Sequence, residues 1–144
     1  MSAHALFVRA PLAFEAPRGA LPLGGIFGGF AALGCVAVGL LGLDHLGFTV
    51  CIFRLTTGVP CATCGATRAF GRLFRLDLAG ALLMNPLVTL GTLGLLAWGA
   101  VDLVLLPTRR ALRLGVAPAW QASVRVLVVV LVVLNWAFLV ATSR

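Results

Sequence analysis

"LPLGGIFGGFAALGCVAVGLLGL", Leu21 to Leu43, runs for 23 residues without a charge. A helix rises about 1.5 Å per residue, so this run covers a hydrocarbon core of about 30 Å. A cleaved leader would have a shorter apolar region and a small-x-small exit. Here the run ends in "GLDHLG", so it reads as an uncleaved first span. Two more runs follow outward along the chain. Pro86 to Leu106 is apolar and is closed by Pro107, Arg109, Arg110 and Arg113. Ser123 to Ala141 contains "VLVVVLVVL". β-Branched residues are acceptable there, because a backbone without water must satisfy its own hydrogen bonds and does so as a helix.

Composition agrees. The 144 residues are 61% hydrophobic and only 10% charged, too few charges to cover a soluble surface. Mean hydropathy is +1.11. The fold class expected is therefore all-α: a small polytopic membrane protein with three transmembrane helices, near 21–43, 86–106 and 123–141. Residues 1–20 read as an extramembrane arm, and 21–144 as a single membrane domain with a long connection at 44–85. The net charge of +7 comes from eleven basic residues, all Arg. Arginines flanking spans meet lipid headgroups and set orientation, and no basic groove interleaved with aromatics points to nucleic acid. Three spans place the arm opposite the connection, with six arginines on the arm side and five on the other. That balance leaves orientation open.

Gly24 with Gly28, and Gly25 with Gly29, form overlapping G-x-x-x-G pairs in the first span. Such pairs let helices approach closely, either within the chain or in a homo-oligomer, so a second copy or a membrane partner is expected on this face if the chain does not use it itself. Asp102 lies about one turn from the end of the second span. A carboxylate there needs a partner. The antiparallel third span offers Arg125 at similar depth, so an intramembrane Asp102–Arg125 pair is expected. Asn135, toward the other end of the third span, is expected near Asn85 and Pro86. Cys35 reads as a small packing residue.

The chemistry concentrates in the connection, at "TTGVPCATCGATRAF", Thr56 to Phe70. Pro60 and Gly65 make a compact turn around Cys61-x-x-Cys64. The segment Gly65 to Arg75 reads as an amphipathic helix, re-entrant or lying in the interface, with Arg68, Arg72 and Arg75 on one face at i, i+4 and i+7. Asp77 reads as the N-cap of "LAGALLMNP", and Pro86 restarts that segment as the second span. Cys51, Cys61 and Cys64 are the candidate metal or redox residues, with His45 as a weaker fourth ligand. Three readings stay open: a structural staple, a redox dithiol, and a zinc or copper(I) site.

The run from Cys51 to Leu87 resembles a family of small bacterial membrane proteins known as a domain of unknown function. Its pattern is roughly Cys, then Thr-Gly-x-Pro-Cys-Pro-x-Cys-Gly-x-Thr-Arg-Ala, then Gly-Asp, then Asn-Pro or His-Pro. Cys51, Thr57, Gly58, Pro60, Cys61, Cys64, Gly65, Thr67, Arg68, Ala69, Asp77, Asn85 and Pro86 match it. Ala62 stands where the pattern has Pro, and Leu76 where it has Gly. The resemblance implies few spans with a cysteine-bearing connection, in a bacterial cytoplasmic (inner) membrane, and implies that the matched polar residues act as one unit. It implies no reaction. Two His and four scattered acids offer no hydrolytic constellation, so the expectation leans away from an enzyme. The expected function is an accessory or scaffold protein whose cysteine knuckle and Arg-rich helix contact lipid or a membrane complex. Metal binding or thiol redox chemistry is the alternative.

Overall fold

The computed structural model describes residues 12–15, 21–45, 51–108, 113–116 and 120–142. Apart from one short β-ribbon these residues are helical. In chain order they form strand β1 (Leu12–Glu15) and helices α1 (Leu23–Leu41), α2 (Ile52–Thr57), α3 (Ala66–Phe74), α4 (Leu78–Met84) and α5 (Pro86–Leu105), then strand β2 (Arg113–Val116) and helix α6 (Gln121–Thr142). Single 3₁₀ turns follow α1, at Leu43–His45, and α5, at Leu106–Thr108. Three of these helices, α1, α5 and α6, are long and apolar enough to cross a membrane, within two residues of the expected bounds.

Local chemistry sets the boundaries. Gly42 ends α1 in the left-handed region (φ 62°), returning its N–H to the Val38 carbonyl. Asp77 caps α4, its carboxylate accepting from Gly80 N–H at 2.8 Å. Asn85 caps α5, accepting from Val88 N–H at 3.1 Å, and Pro86 takes the first position, where a missing N–H costs nothing. Just before the Asp77 cap the chain passes through Leu76 at φ 59°, a conformation unfavourable for a side chain with a Cβ. This is the position at which the resembling pattern carries Gly.

α1 and α5 are antiparallel and pack through small residues. A Cβ on Gly28 would lie 2.7 Å from the Leu95 carbonyl oxygen and 2.9 Å from Gly99 Cα, so the two backbones touch. Gly24 lies beneath the Trp98 ring. The Gly24/Gly28 pair thus packs within the chain, whereas a Cβ on Gly29 would meet nothing within 4 Å. The same contact turns Asp102, fully buried, toward α1, where it accepts from Gly25 N–H at 3.2 Å. The ion pairs among the described residues do not include one between Asp102 and Arg125. Arg125 is exposed on α6, and α6 is tied to the start of α5 through Asn135, which accepts from Leu87 N–H.

The ribbon pairs β1 with β2 antiparallel, Leu12 opposite Val116 and Glu15 opposite Arg113. The sequence reading does not anticipate it. It joins the segment before the first span to the loop between the second and third, which three antiparallel spans bring to one end. Of the arm, only residues 12–15 lie within the described residues, and Arg9, Arg18, Arg109, Arg110 and Arg144 lie outside them.

At the other end, α3 packs along the last two turns of α1. Phe70 approaches Gly34 and Phe74 covers Gly39, while Cys35 is buried with Ala69, Leu73 and Ala81. The apolar face of this amphipathic helix therefore meets protein. Its contact reaches about 10 Å below the end of α1, at 1.5 Å per residue from Leu41 to Gly34. α6 is the least enclosed span, with only Asn135 and Leu139 buried. Its valines stay exposed, as lipid-facing residues must.

Candidate functional site

The thiol turn is built by its backbone. Gly58 ends α2 at φ 73°, Pro60 is buried, and Cys64 N–H closes a turn onto the Cys61 carbonyl at 3.0 Å. Gly65 then enters α3 at φ 84°, where a Cβ would also lie 3.0 Å from the Met84 carbonyl oxygen. Only glycine satisfies both the positive φ and that close approach. Cys51, preceding α2, is brought back over this turn.

The three sulfurs converge. Cys51 Sγ lies 3.2 Å from Cys61 Sγ, and Cys61 Sγ lies 3.4 Å from Cys64 Sγ. All three fall within 4.8 Å of one another. A tetrahedral zinc with Zn–S near 2.3 Å spaces its sulfurs at about 3.8 Å, so small adjustments would place these three around one ion. His45 is not with them. It sits beside Arg75, Nε2 3.4 Å from Nη1, because the turn after α1 packs on α3 rather than on the thiol loop.

The thiols are electrostatically unequal. The Thr63 hydroxyl, 3.3 Å from Cys61 Sγ, is the main cause that lowers the Cys61 pKa to about 6, against burial and with help from the neighbouring thiols. Burial, then Cys61 and Cys51, raises Cys64 to about 11. Cys61 N–H donates to Cys64 Sγ at 3.1 Å. These neighbours favour the thiolate at Cys61 and disfavour it at Cys64.

The loop is gripped from both sides by asparagines. Asn85, fully buried, donates to the Ala62 carbonyl at 3.0 Å and to the Cys64 carbonyl at 3.1 Å while its oxygen caps α5. Asn135 of α6 donates to the same Ala62 carbonyl at 3.0 Å and accepts from Leu87 N–H at 3.1 Å. Trp136 donates from Nε1 to the Pro60 carbonyl at 2.9 Å. The expectation that Asn135 meets the start of the second span is met, and the loop itself is the shared partner.

The other motif residues divide. Asp77 pairs with Arg72 at 2.7 Å, and Asp44 pairs with Arg75. Gly80 N–H, then Arg72, holds the Asp77 carboxyl below its ordinary range, and the Arg75 hydrogen bond does the same for Asp44. Thr67 and Arg68 are exposed, without a side-chain partner among the described residues. Sequence reasoning missed Thr63, Asp44 and Trp136. Thr63 was legible, since a hydroxyl between two cysteines lies within reach of either. Asp44 and Trp136 act across 31 and 76 positions, and no local signal marks them.

No curated protein and no solved structure is significantly similar to this chain. A family match does exist, over about a third of the chain. It begins at Cys51, takes in Asn85 but not Asn135 or Trp136, and runs to Gly99, against which α1 packs. Residues 51–99 match the family described as a protein of unknown function, DUF2752.

Proposed function

We propose that this integral membrane protein is an accessory or scaffold module built on a metal knuckle. In this reading Cys51, Cys61 and Cys64 bind one soft ion, zinc or copper(I), and the knuckle's backbone anchors the second and third spans. The observation that carries it is the double use of one loop: three sulfurs converge on one side, and the Pro60, Ala62 and Cys64 carbonyls accept from Asn85, Asn135 and Trp136 on the other. Thiolates suit both ions. Three sulfurs complete a trigonal copper(I) site, whereas zinc would take a fourth ligand from water or a partner. A bound ion would stiffen the loop and so hold α6, whose other burial is slight.

The asymmetry of the thiols favours a second reading. An ionised Cys61 beside a protonated Cys64 is the arrangement of a nucleophilic and a resolving thiol. One experiment separates the two. The protein is purified in detergent without chelator, and bound metal and reactive thiols are counted on the same sample. About one ion per chain, lost in Cys51→Ser and Cys61→Ser, supports the knuckle. No ion, with a Cys61–Cys64 pair that opens and closes with reductant, overturns it in favour of redox chemistry.

A further inference from the structure

A second polar feature lies beside the thiols and is independent of them. Arg68 and Arg72 of α3, with Arg75 just past its end, line a cavity of about 470 Å³. The opposite wall comes from Asp44 and His45, just after α1, and from Asp77 and Met84, at the two ends of α4. The first span has just ended at this level and the second is about to begin. The cavity therefore lies at the depth of lipid headgroups.

Its charges are not balanced. The Asp44 side chain is only 4% exposed and is committed to Arg75, while Asp77 is committed to Arg72 and to the start of α4. Asp44 Oδ1 is enclosed and has no partner among the described residues, so Arg75 carries its compensation. His45 Nε2 lies 3.4 Å from Arg75 Nη1 and 3.7 Å from Asp44 Oδ2. Arg68 is left over, exposed, with no carboxylate among the described residues paired to it. The two ion pairs fix Arg72 and Arg75 in place and leave one uncompensated guanidinium on the same wall. A guanidinium fork is the group that best matches phosphate oxygens. The neighbouring ends of the spans carry exposed apolar residues, Leu40 and Leu41 on α1 and Leu83 on α4, against which an acyl chain can lie.

We propose that this cavity binds the phosphate of an acidic glycerophospholipid headgroup, with Arg68 as the anchoring residue. The phosphodiester sits against Arg68 and the exposed edges of Arg72 and Arg75, and the acyl chains run down beside α1 and α4. The site orients α3 at the membrane surface and does not depend on a metal at the thiols.

The test is native mass spectrometry of delipidated protein, titrated with phosphatidylglycerol, with diacylglycerol, and separately with inorganic phosphate. Expected is one retained phosphatidylglycerol, displaced by raised salt, with affinity reduced about tenfold in Arg68→Gln and by less in Arg68→Lys, which keeps the charge but not the fork. Arg54→Gln, an exposed arginine of α2 off the cavity, should leave binding unchanged. Equal loss in Arg54→Gln and Arg68→Gln would overturn the site, as would equal retention of diacylglycerol. Inorganic phosphate binding as tightly as the lipid would overturn the assignment to a headgroup. Arg68 is exposed and unpaired among the described residues, so its replacement leaves the fold intact, and a thermal melt of each variant verifies this.

Discussion

Asn85 tests the fold and the site together. Its oxygen caps α5, and its amide donates to the Ala62 and Cys64 carbonyls from a fully buried position. Asn85→Ala removes a cap worth about 1 kcal/mol and two side-chain hydrogen bonds worth about 1 kcal/mol each, leaving buried groups unsatisfied, for about 3 kcal/mol in all. Asn85→Asp is the sharper probe. Aspartate is as good a helix cap as asparagine, so a capping role alone predicts no loss. An ionised carboxylate, however, would place an oxygen against two carbonyl oxygens now 3.0 and 3.1 Å from the amide nitrogen. At pH 7 Asn85→Asp should therefore be less stable than Asn85→Ala despite keeping the cap. Its carboxyl pKa should rise above the ordinary value, because only the protonated form donates to a carbonyl. The deficit is then smallest below about pH 4, the unfolded-state value, and grows as pH climbs through the raised folded value. Equilibrium unfolding of detergent-solubilised variants between pH 4 and 8 measures both effects. An Asn85→Asp protein as stable as wild type at pH 7, or one whose deficit does not shrink on acidification, would refute the donor role of Asn85.

Three further outcomes are expected. Gly28→Leu should cost more than about 2 kcal/mol in thermal unfolding, because backbone atoms of α5 stand 2.7 and 2.9 Å from the new Cβ, whereas Gly29→Ala meets open space and should gain up to about 1 kcal/mol of helix propensity. Leu76→Gly should stabilise by up to about 1 kcal/mol in the same assay, since Leu at φ 59° carries left-handed strain that glycine lacks. In metal-free protein, alkylation of Cys61 should follow a midpoint near pH 6, while Cys64 reacts only toward pH 11. The stabilisation that comes from the lowered Cys61 pKa is full above the unfolded value of about 8.5 and is lost as pH falls through about 6. Thr63→Val should move the Cys61 midpoint upward, and a midpoint unchanged by that substitution would remove the hydroxyl from the explanation.

Much of this architecture follows from local sequence alone. Three apolar runs of spanning length, the first without a charge and the others with one each, leave helices as the only way to satisfy their backbones in lipid. Asp77, Asn85 and Pro86 mark helix starts because capping is decided within three or four residues, and Cys61-x-x-Cys64 between Pro60 and Gly65 marks a tight thiol turn for the same reason. Even the oddity of Leu76 is legible, as a side chain where the resembling pattern has glycine. Which faces meet is another matter. Each residue turns a helix by about 100°, so a side chain's partner depends on rotations that no local window contains. The contact of Gly24 and Gly28 with Leu95, Trp98 and Gly99 sets the rotation of α5, and with it turns Asp102 toward Gly25 N–H. The packing of the Leu43–His45 turn on α3 takes His45 away from the thiols and gives Asp44 to Arg75. Asn135 and Trp136 reach the Ala62 and Pro60 carbonyls across more than 70 positions of chain. Sequence determined the spans, the caps and the thiol turn; tertiary packing decided that the thiol loop is also the anchor of the third span, because only there do helices distant in the chain offer donors to carbonyls that the tight turn leaves without partners.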